Sequence, residues 1–224
     1  MVDIFISVIR SEHMKIRKRD IEIILQKIPP HPAPQINFEQ YPTPADIAAD
    51  ILFSAFLGDD IAEKTVLDLG TGTGIFAIGA KLLGAEDVIG VDIDGTGLAI
   101  AEGYAKNLSL DIKFIEKDIN KFDITELSNK HIDTIFQNPP FGAQKGSRGA
   151  DRTFLEKALS WGKVIYSLHL TKTTEFIELL LNKLGGELVL KKNYRFPICH
   201  TYFFHTKEKV EFDITLFKII TKFR

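Results

Sequence analysis

The chain has 224 residues, of which 28 are basic and 30 acidic, giving a net charge of −2 with histidine neutral. That balance excludes a uniformly basic nucleic-acid binder and an acidic disordered tail, and the length fits one domain with or without a short extension. Folding at this size buries roughly 70% of the unfolded surface, so a core forms without staples. The single cysteine, Cys199, excludes an intrachain disulfide framework and a Cys-based zinc site; no metal is expected, and the setting reads as a reducing cytoplasm.

The apolar run 4–9 is far shorter than the ~20 residues that span a bilayer, and it lacks the basic lead and small-residue cleavage site of a signal peptide. No membrane attachment is expected. Met14 precedes Lys15-Ile16-Arg17-Lys18-Arg19, the start of a basic amphipathic helix over 15–28, so residues 1–13 read as optional. Residues 29–34, Pro-Pro-His-Pro-Ala-Pro, cannot be helical and form an extended connector. Residues 1–40 are therefore expected to be an extension and 41–224 the main domain.

Thr43-Pro44-Ala45-Asp46 has the form of a helix start, with Thr43 as N-cap, Pro44 at the first helical position and the helix running to about Leu57. Beyond it, short β-rich runs alternate with helical patterns. The spacing predicts strands over 65–69, 88–92, 112–115, 132–136, 164–168, 187–191 and 211–220. This rhythm belongs to a seven-stranded, mostly parallel α/β sheet with helices on both faces. The last two strands are joined by a segment over 193–209 with no helical pattern, carrying Tyr194, Phe196, Tyr202, Phe203 and Phe204, so the final strand is expected to be antiparallel. His169 and Trp161 read as structural residues.

The first strand feeds Asp68-Leu69-Gly70-Thr71-Gly72-Thr73-Gly74, a three-glycine turn opening a helix. Glycines let backbone approach a ligand, and helix N-terminal amides favour negative charge. A relaxed dinucleotide fingerprint is also satisfied, with Asp92 at the ribose-binding distance, whereas the Walker Gly-Lys-Ser/Thr is absent. Asp68 favours S-adenosylmethionine over NAD, because a carboxylate at that strand end accepts from an ammonium group that only the former carries. Asp92 then takes the ribose hydroxyls and Asp118 the adenine amino group, three successive strands each contributing an acid.

The fourth strand ends in Asn138-Pro139-Pro140-Phe141. Two prolines stiffen the backbone and leave the Pro139 carbonyl without a helical or ladder partner, so it and the Asn138 side-chain oxygen can accept both hydrogens of a planar amino group. Holding those hydrogens while the nitrogen pyramidalises stabilises the transition state more than the ground state. Phe141 supplies a stacking face for a flat substrate.

The glycine loop with this tetrapeptide resembles the class I, Rossmann-like amino-methyltransferases. More closely, Glu39-Gln40-Tyr41-Pro42-Thr43, Asn138-Pro139-Pro140-Phe141-Gly142, Asp151-Arg152-Thr153-Phe154-Leu155 and Tyr166-Ser167-Leu168-His169 resemble the archaeal and eukaryotic methyltransferase-like protein five family, which methylates N6 of an adenosine in small-subunit ribosomal RNA. The likeness runs from about Met14 to the C-terminus. It implies that Gln40, Tyr41 and Thr43 sit over the cofactor, that Asp68, Gly70, Gly72, Gly74, Asp92, Ile93, Asp118, Ile119 and Asn138 hold it, and that Asn138 to Phe141 are catalytic. The stretch Cys199-His200-Thr201-Tyr202-Phe203-Phe204 departs from the family's shorter polar pattern.

A glycine-containing loop over 142–152 carries Lys145, Arg148 and Arg152 at the mouth of this site, suited to a phosphate backbone, which makes structured RNA the expected substrate. The third strand is expected at a sheet edge, where an apolar run invites pairing with another chain; the resemblance implies a small zinc-containing activator protein. Three other functions compete. A protein-glutamine N5 methyltransferase meets the same amino-group requirement but commonly ends the tetrapeptide in Tyr and carries a larger N-terminal helical domain. A non-catalytic ribosome-assembly module would not need Asp68 and Asn138, and an NAD-dependent oxidoreductase lacks identifiable hydride-transfer partners.

Overall fold

The computed structural model describes residues 17–34, 41–127, 131–141, 149–198 and 210–222. Their elements in chain order are α1 (Lys18–Leu25), α2 (Ala45–Leu57), β1 (Thr65–Leu69), α3 (Ile75–Leu82), β2 (Asp87–Asp92), α4 (Gly95–Asn107), β3 (Lys113–Glu116), β4 (Ile132–Gln137), α5 (Ala150–Trp161), β5 (Gly162–Leu170), α6 (Thr174–Leu184), β6 (Gly186–Ile198) and β7 (Val210–Thr221). The sheet order is β3-β2-β1-β4-β5-β7-β6. Strands β1 to β5 pair in parallel, and β7 runs antiparallel between β5 and β6. The chain winds outward from β1 to β3, then returns to place β4 on the other flank of β1. A crevice opens at that reversal, beyond the carboxyl ends of β1 and β4.

Central parallel strands are covered on both faces, so β1 is buried from Val66 to Leu69 and β4 at every position but Asp133. On one face Ile21, Leu52, Ile78 and Phe136 lie in a single core; on the other Leu67, Ile135, Leu155, Leu181 and Phe217 form a second. Phe136 is sandwiched between Phe76 of α3, at 5.4 Å, and Tyr166 of β5, at 5.1 Å. Aromatic pairs of this kind contribute about 0.5–1.5 kcal/mol each beyond their buried area, and these two fix the end of β4 just before Asn138.

Several expectations change. The basic helix is shorter than 15–28, and Ile21, Ile24 and Leu25 bury it in the same core as α2, although it precedes residue 41. Arg17 closes a capping box with Asp20, and Lys18 pairs with Asp50, so the start of this helix is balanced by acids. Pro44, not Thr43, occupies the N-cap of α2, with extended backbone and no side-chain cap. The Thr43 hydroxyl is used elsewhere, by Asn138. Tyr194 and Phe196 belong to β6 rather than to a connecting segment, because β7 continues the antiparallel ladder out to Ile198↔Val210. Trp161 is only partly buried, edge-on to Phe122. Residues 15, 199 and 202–204 lie outside the described residues, as does the run 4–9. Among the described residues no helix is long and apolar enough to cross a membrane.

Candidate active site

The crevice is a cavity of about 920 Å³ into which five parts of the sequence converge. Tyr41 and Thr43 reach it from the segment before α2, Gly70 and Gly72 from the loop after β1, Asp92 and Ile93 from the end of β2, Asp118 and Ile119 from beyond β3, and Asn138 and Pro140 from the end of β4. Their ordered arrival at one opening is a consequence of the parallel strand order.

The glycine loop takes its shape from positive φ at Gly70, Gly72 and Gly74, a region that favours residues without a side chain. A Cβ on Gly74 would stand 2.9 Å from the Ala101 Cβ. Gly74 does not line the cavity; it starts α3 and lets that helix lie close to α4. The Gly72 amide donates to Asp92 Oδ2 at 2.7 Å, while Asp92 Oδ1 accepts from the Asp94 amide at 2.9 Å. Burial raises the Asp92 pKa. A carboxylate has about four lone-pair positions, so both oxygens can still accept hydroxyls from the cavity side.

Asp68 behaves differently from the expectation. It is buried and absent from the cavity wall, and its Oδ2 accepts from Thr71 Oγ1 at 2.6 Å and from the Ala77 amide at 2.9 Å. It braces the loop from behind, at the N-terminus of α3, where a helix favours negative charge. Burial nevertheless dominates and pushes its pKa up to about 7, with those two hydrogen bonds opposing. Asp118 lines the cavity and accepts at Oδ1 from the amide and side chain of Asn120, both at 2.9 Å.

Asn138 is held by groups remote in sequence. Its Nδ2 donates to Thr43 Oγ1 at 3.1 Å and more weakly to the Tyr41 carbonyl at 3.4 Å. That carbonyl can only accept, which fixes which end of the amide faces it. Oδ1 is left buried with no hydrogen-bond partner. An unpaired buried acceptor costs about 1–3 kcal/mol, so this oxygen is a docking point for an incoming N–H. Pro139 is buried, Pro140 lines the cavity, and the Phe141 ring lies near-parallel to that of Tyr41.

Gln40, Lys145 and Arg148 lie outside the described residues. Arg152 stands on the first turn of α5, its Nε 2.8 Å from Glu156 Oε1 one turn on. His169 is buried, and the structure supplies the partner that the sequence did not reveal: its Nε2 lies 2.6 Å from Ser167 Oγ, which accepts from Gln137 Nε2 at 2.8 Å. Burial lowers the His169 pKa to about 3, so the ring is neutral.

Two site residues were missed. His31 of the proline-rich connector lines the cavity; its Nδ1 accepts from the Ala33 amide at 3.1 Å, leaving Nε2 in a close polar contact with Asp94 Oδ2 at 2.9 Å that is not an aligned hydrogen bond. Asp94 also caps α4 through Thr96, a role its Asp-Gly-Thr context advertises. Phe154, inside a quoted motif, packs under Gly70, 3.1 Å from where a Cβ would be.

The family model for the methyltransferase small domain matches residues 43–196, more than half of the chain. An uncharacterised protein of Methanocaldococcus jannaschii is 40% identical over 91% of this chain and 94% of its own length. The rRNA N(6)-adenosine-methyltransferase METTL5 of Danio rerio is 34% identical over 88% of this chain and 95% of its own. Among solved structures, a candidate RNA methyltransferase of Pyrococcus horikoshii superposes with a TM-score of 0.82 at 31% identity, covering 94% of this chain and all of that one.

Proposed function

Because the chain belongs to the methyltransferase small domain family, with S-adenosylmethionine as methyl donor, we propose that its acceptor is N6 of an adenosine in small-subunit ribosomal RNA. One observation carries this reading: the donors of Asn138 are engaged by Thr43 and Tyr41 while its buried Oδ1 has no partner. An acceptor preset in this way suits an exocyclic amino group, which offers two hydrogens and no accessible lone pair.

The cavity fits the cofactor. Asp92 is proposed to take the ribose hydroxyls, Asp118 and Ile119 the adenine, and Gly70 and Gly72 the chain that follows, with Gln40 and Thr43 over the reacting end. Bound there, the cofactor supplies an electrophilic methyl group on a sulfonium centre. Asn138 Oδ1 accepts one N6 hydrogen and the Pro139 carbonyl the other, so that the nitrogen pyramidalises with its developing positive charge beside two oxygens. The methyl–nitrogen bond would form as the methyl–sulfur bond breaks, and the nitrogen would then shed one of its hydrogens as a proton to solvent; the rest is alignment. Phe141 carries the base. Lys145, Arg148 and Arg152 are proposed phosphate contacts, and Asp68 acts on the cofactor through the loop it braces.

The small zinc-containing activator implied by the resemblance is assigned to the edge of β3, where half-buried Phe114 and a hollow of about 430 Å³ lined by Leu110 and Ile112 together with Glu102, Lys106 and Asp111 offer a mixed apolar and charged seat. A ribosomal substrate also puts the enzyme in the cytoplasm. The test is to incubate the protein and labelled cofactor with small-subunit rRNA and, separately, with release-factor protein. N6-methyladenosine in the RNA digest is the expected product; label in a protein glutamine instead refutes the assignment.

A further inference from the structure

The Tyr41 and Phe141 rings are inclined by only 14°, with centroids 6.5 Å apart. That is wider than overlapping rings in contact. A planar base inserted between two rings needs about 3.5 Å on each side, roughly 7 Å between ring planes; the 6.5 Å centroid separation is the upper limit of the present gap, so the rings must part to admit a base. Both side chains are half-buried, and both flank the residue with the unpaired acceptor: Phe141 ends its tetrapeptide, and the Tyr41 carbonyl holds its Nδ2. Beside Tyr41, on the arm where β6 and β7 pair with each other beyond the last β5 rung at Leu170↔Ile214, stands Phe212, its ring centroid 6.5 Å from that of Tyr41 and tilted by 43°. Phe212 is itself packed against the core, as a fixed support would be.

We propose that Tyr41 and Phe141 are the two plates of a slot that takes the target adenine edge-first, its amino group toward Asn138 Oδ1, with Phe212 as the positioning residue that holds the Tyr41 plate. This rests on the reading of the enzyme as an adenine N6 methyltransferase, and it gives Tyr41 a substrate role distinct from the cofactor role the resemblance implies. A base extruded from RNA is commonly held between aromatic faces. The arm of the last two strands thereby becomes part of base recognition.

The test measures kcat/KM for methylation of small-subunit rRNA and, by calorimetry on the same full chain, the Kd of S-adenosylhomocysteine. Tyr41→Leu keeps bulk and removes the plate. It should lose about tenfold to a hundredfold in kcat/KM for RNA, the worth of one stacking face, with the Kd within about threefold of wild type. Tyr41→Phe should recover most of that loss, and Phe212→Leu should produce a smaller loss of the same kind, an independent arm should Tyr41→Leu fold poorly. A Tyr41→Leu Kd that weakens as much as methylation makes Tyr41 a cofactor residue and overturns the slot. So does unchanged RNA methylation in both leucine variants. Wild-type protein that labels a glutamine and no RNA overturns the acceptor assignment as well, a result separable from either of these.

Discussion

Replacing Asn138 by alanine separates chemistry from architecture, because the two effects are predicted to differ in size and even in sign. The variant loses donor bonds to Thr43 Oγ1, at 3.1 Å, and to the Tyr41 carbonyl, at 3.4 Å, together worth about 1 kcal/mol given the length of the second. It also removes a buried acceptor without a partner, which costs the folded protein about 1–3 kcal/mol. These terms oppose each other, so stability should change by no more than about 1–2 kcal/mol, a Tm shift of a few degrees for a chain of this size. The rate should fall by about 100-fold or more, the scale of removing one oriented acceptor from the developing charge. Single-turnover methylation at saturating cofactor, with calorimetry and thermal unfolding on the same samples, checks all three quantities. Near-wild-type turnover refutes the amino-group mechanism. A collapse in Tm refutes the claim that the unpaired oxygen is kept for chemistry, since Asn138 would then be a structural residue.

Thr43→Val keeps the shape of the side chain but removes the acceptor for Asn138 Nδ2, so the amide can turn over; kcat should fall about tenfold while the Kd of S-adenosylhomocysteine moves less than about threefold, as calorimetry beside initial rates will report. Stability against pH should carry two opposed contributions. Asp68, raised to about 7 from about 3.9 unfolded, lets the folded chain bind the extra proton, so its contribution is present below about pH 4 and lost as pH rises to 7. His169, lowered to about 3 from about 6.5 unfolded, contributes stability present above pH 6.5 and lost as pH falls. Asp68→Asn should therefore steepen the rise of Tm between pH 4.5 and 6.5 and His169→Gln should flatten or reverse it; thermal scans that run parallel for all three proteins contradict both assignments. Reversing Lys145 and Arg148 to glutamate together should reduce RNA methylation strongly and leave cofactor affinity unchanged, with the deficit relative to wild type shrinking as salt rises, because salt screens both the wild-type phosphate contacts and the variant's repulsion.

The sheet was legible because its central strands have no solvent face. Thr65–Leu69 and Ile132–Gln137 are short β-rich runs bounded by loop residues, and pattern alone delimits them to within a residue. Pattern fails at the other flank. Lys191-Lys192-Asn193 interrupts the apolar signal in the middle of β6, since that strand is an edge whose exposed side is polar and whose far half leaves the rest of the sheet to pair with β7 alone. There the lysines are fixed by partners distant in sequence, Lys192 by Asp50 and Lys191 by Glu178, and no local periodicity encodes them.

The site divides along the same physical line. That acids at three strand ends would surround one crevice follows from parallel order, but the direction of each carboxylate does not. Asp68 and Asp92 lie near the ends of neighbouring strands, Asp68 in register with Gly90, yet the first turns back to the start of α3 and the second faces the cavity, because only Asp68 has the free amide of Ala77 and the Thr71 hydroxyl within reach. Asn138 makes the point most sharply. Its residue type and its two prolines suggest an acceptor of amino hydrogens, and the proposed acceptor is presented to the cavity because a threonine 95 residues earlier occupies the other end of the amide. The hydroxyl that sequence reasoning assigned to capping α2 is drawn off to that task, and the helix starts on Pro44 without a side-chain cap. A modest local stabilisation, about 1 kcal/mol for such a cap, is forgone where it would have been expected, and the orientation of the catalytic amide is what the fold gains in its place.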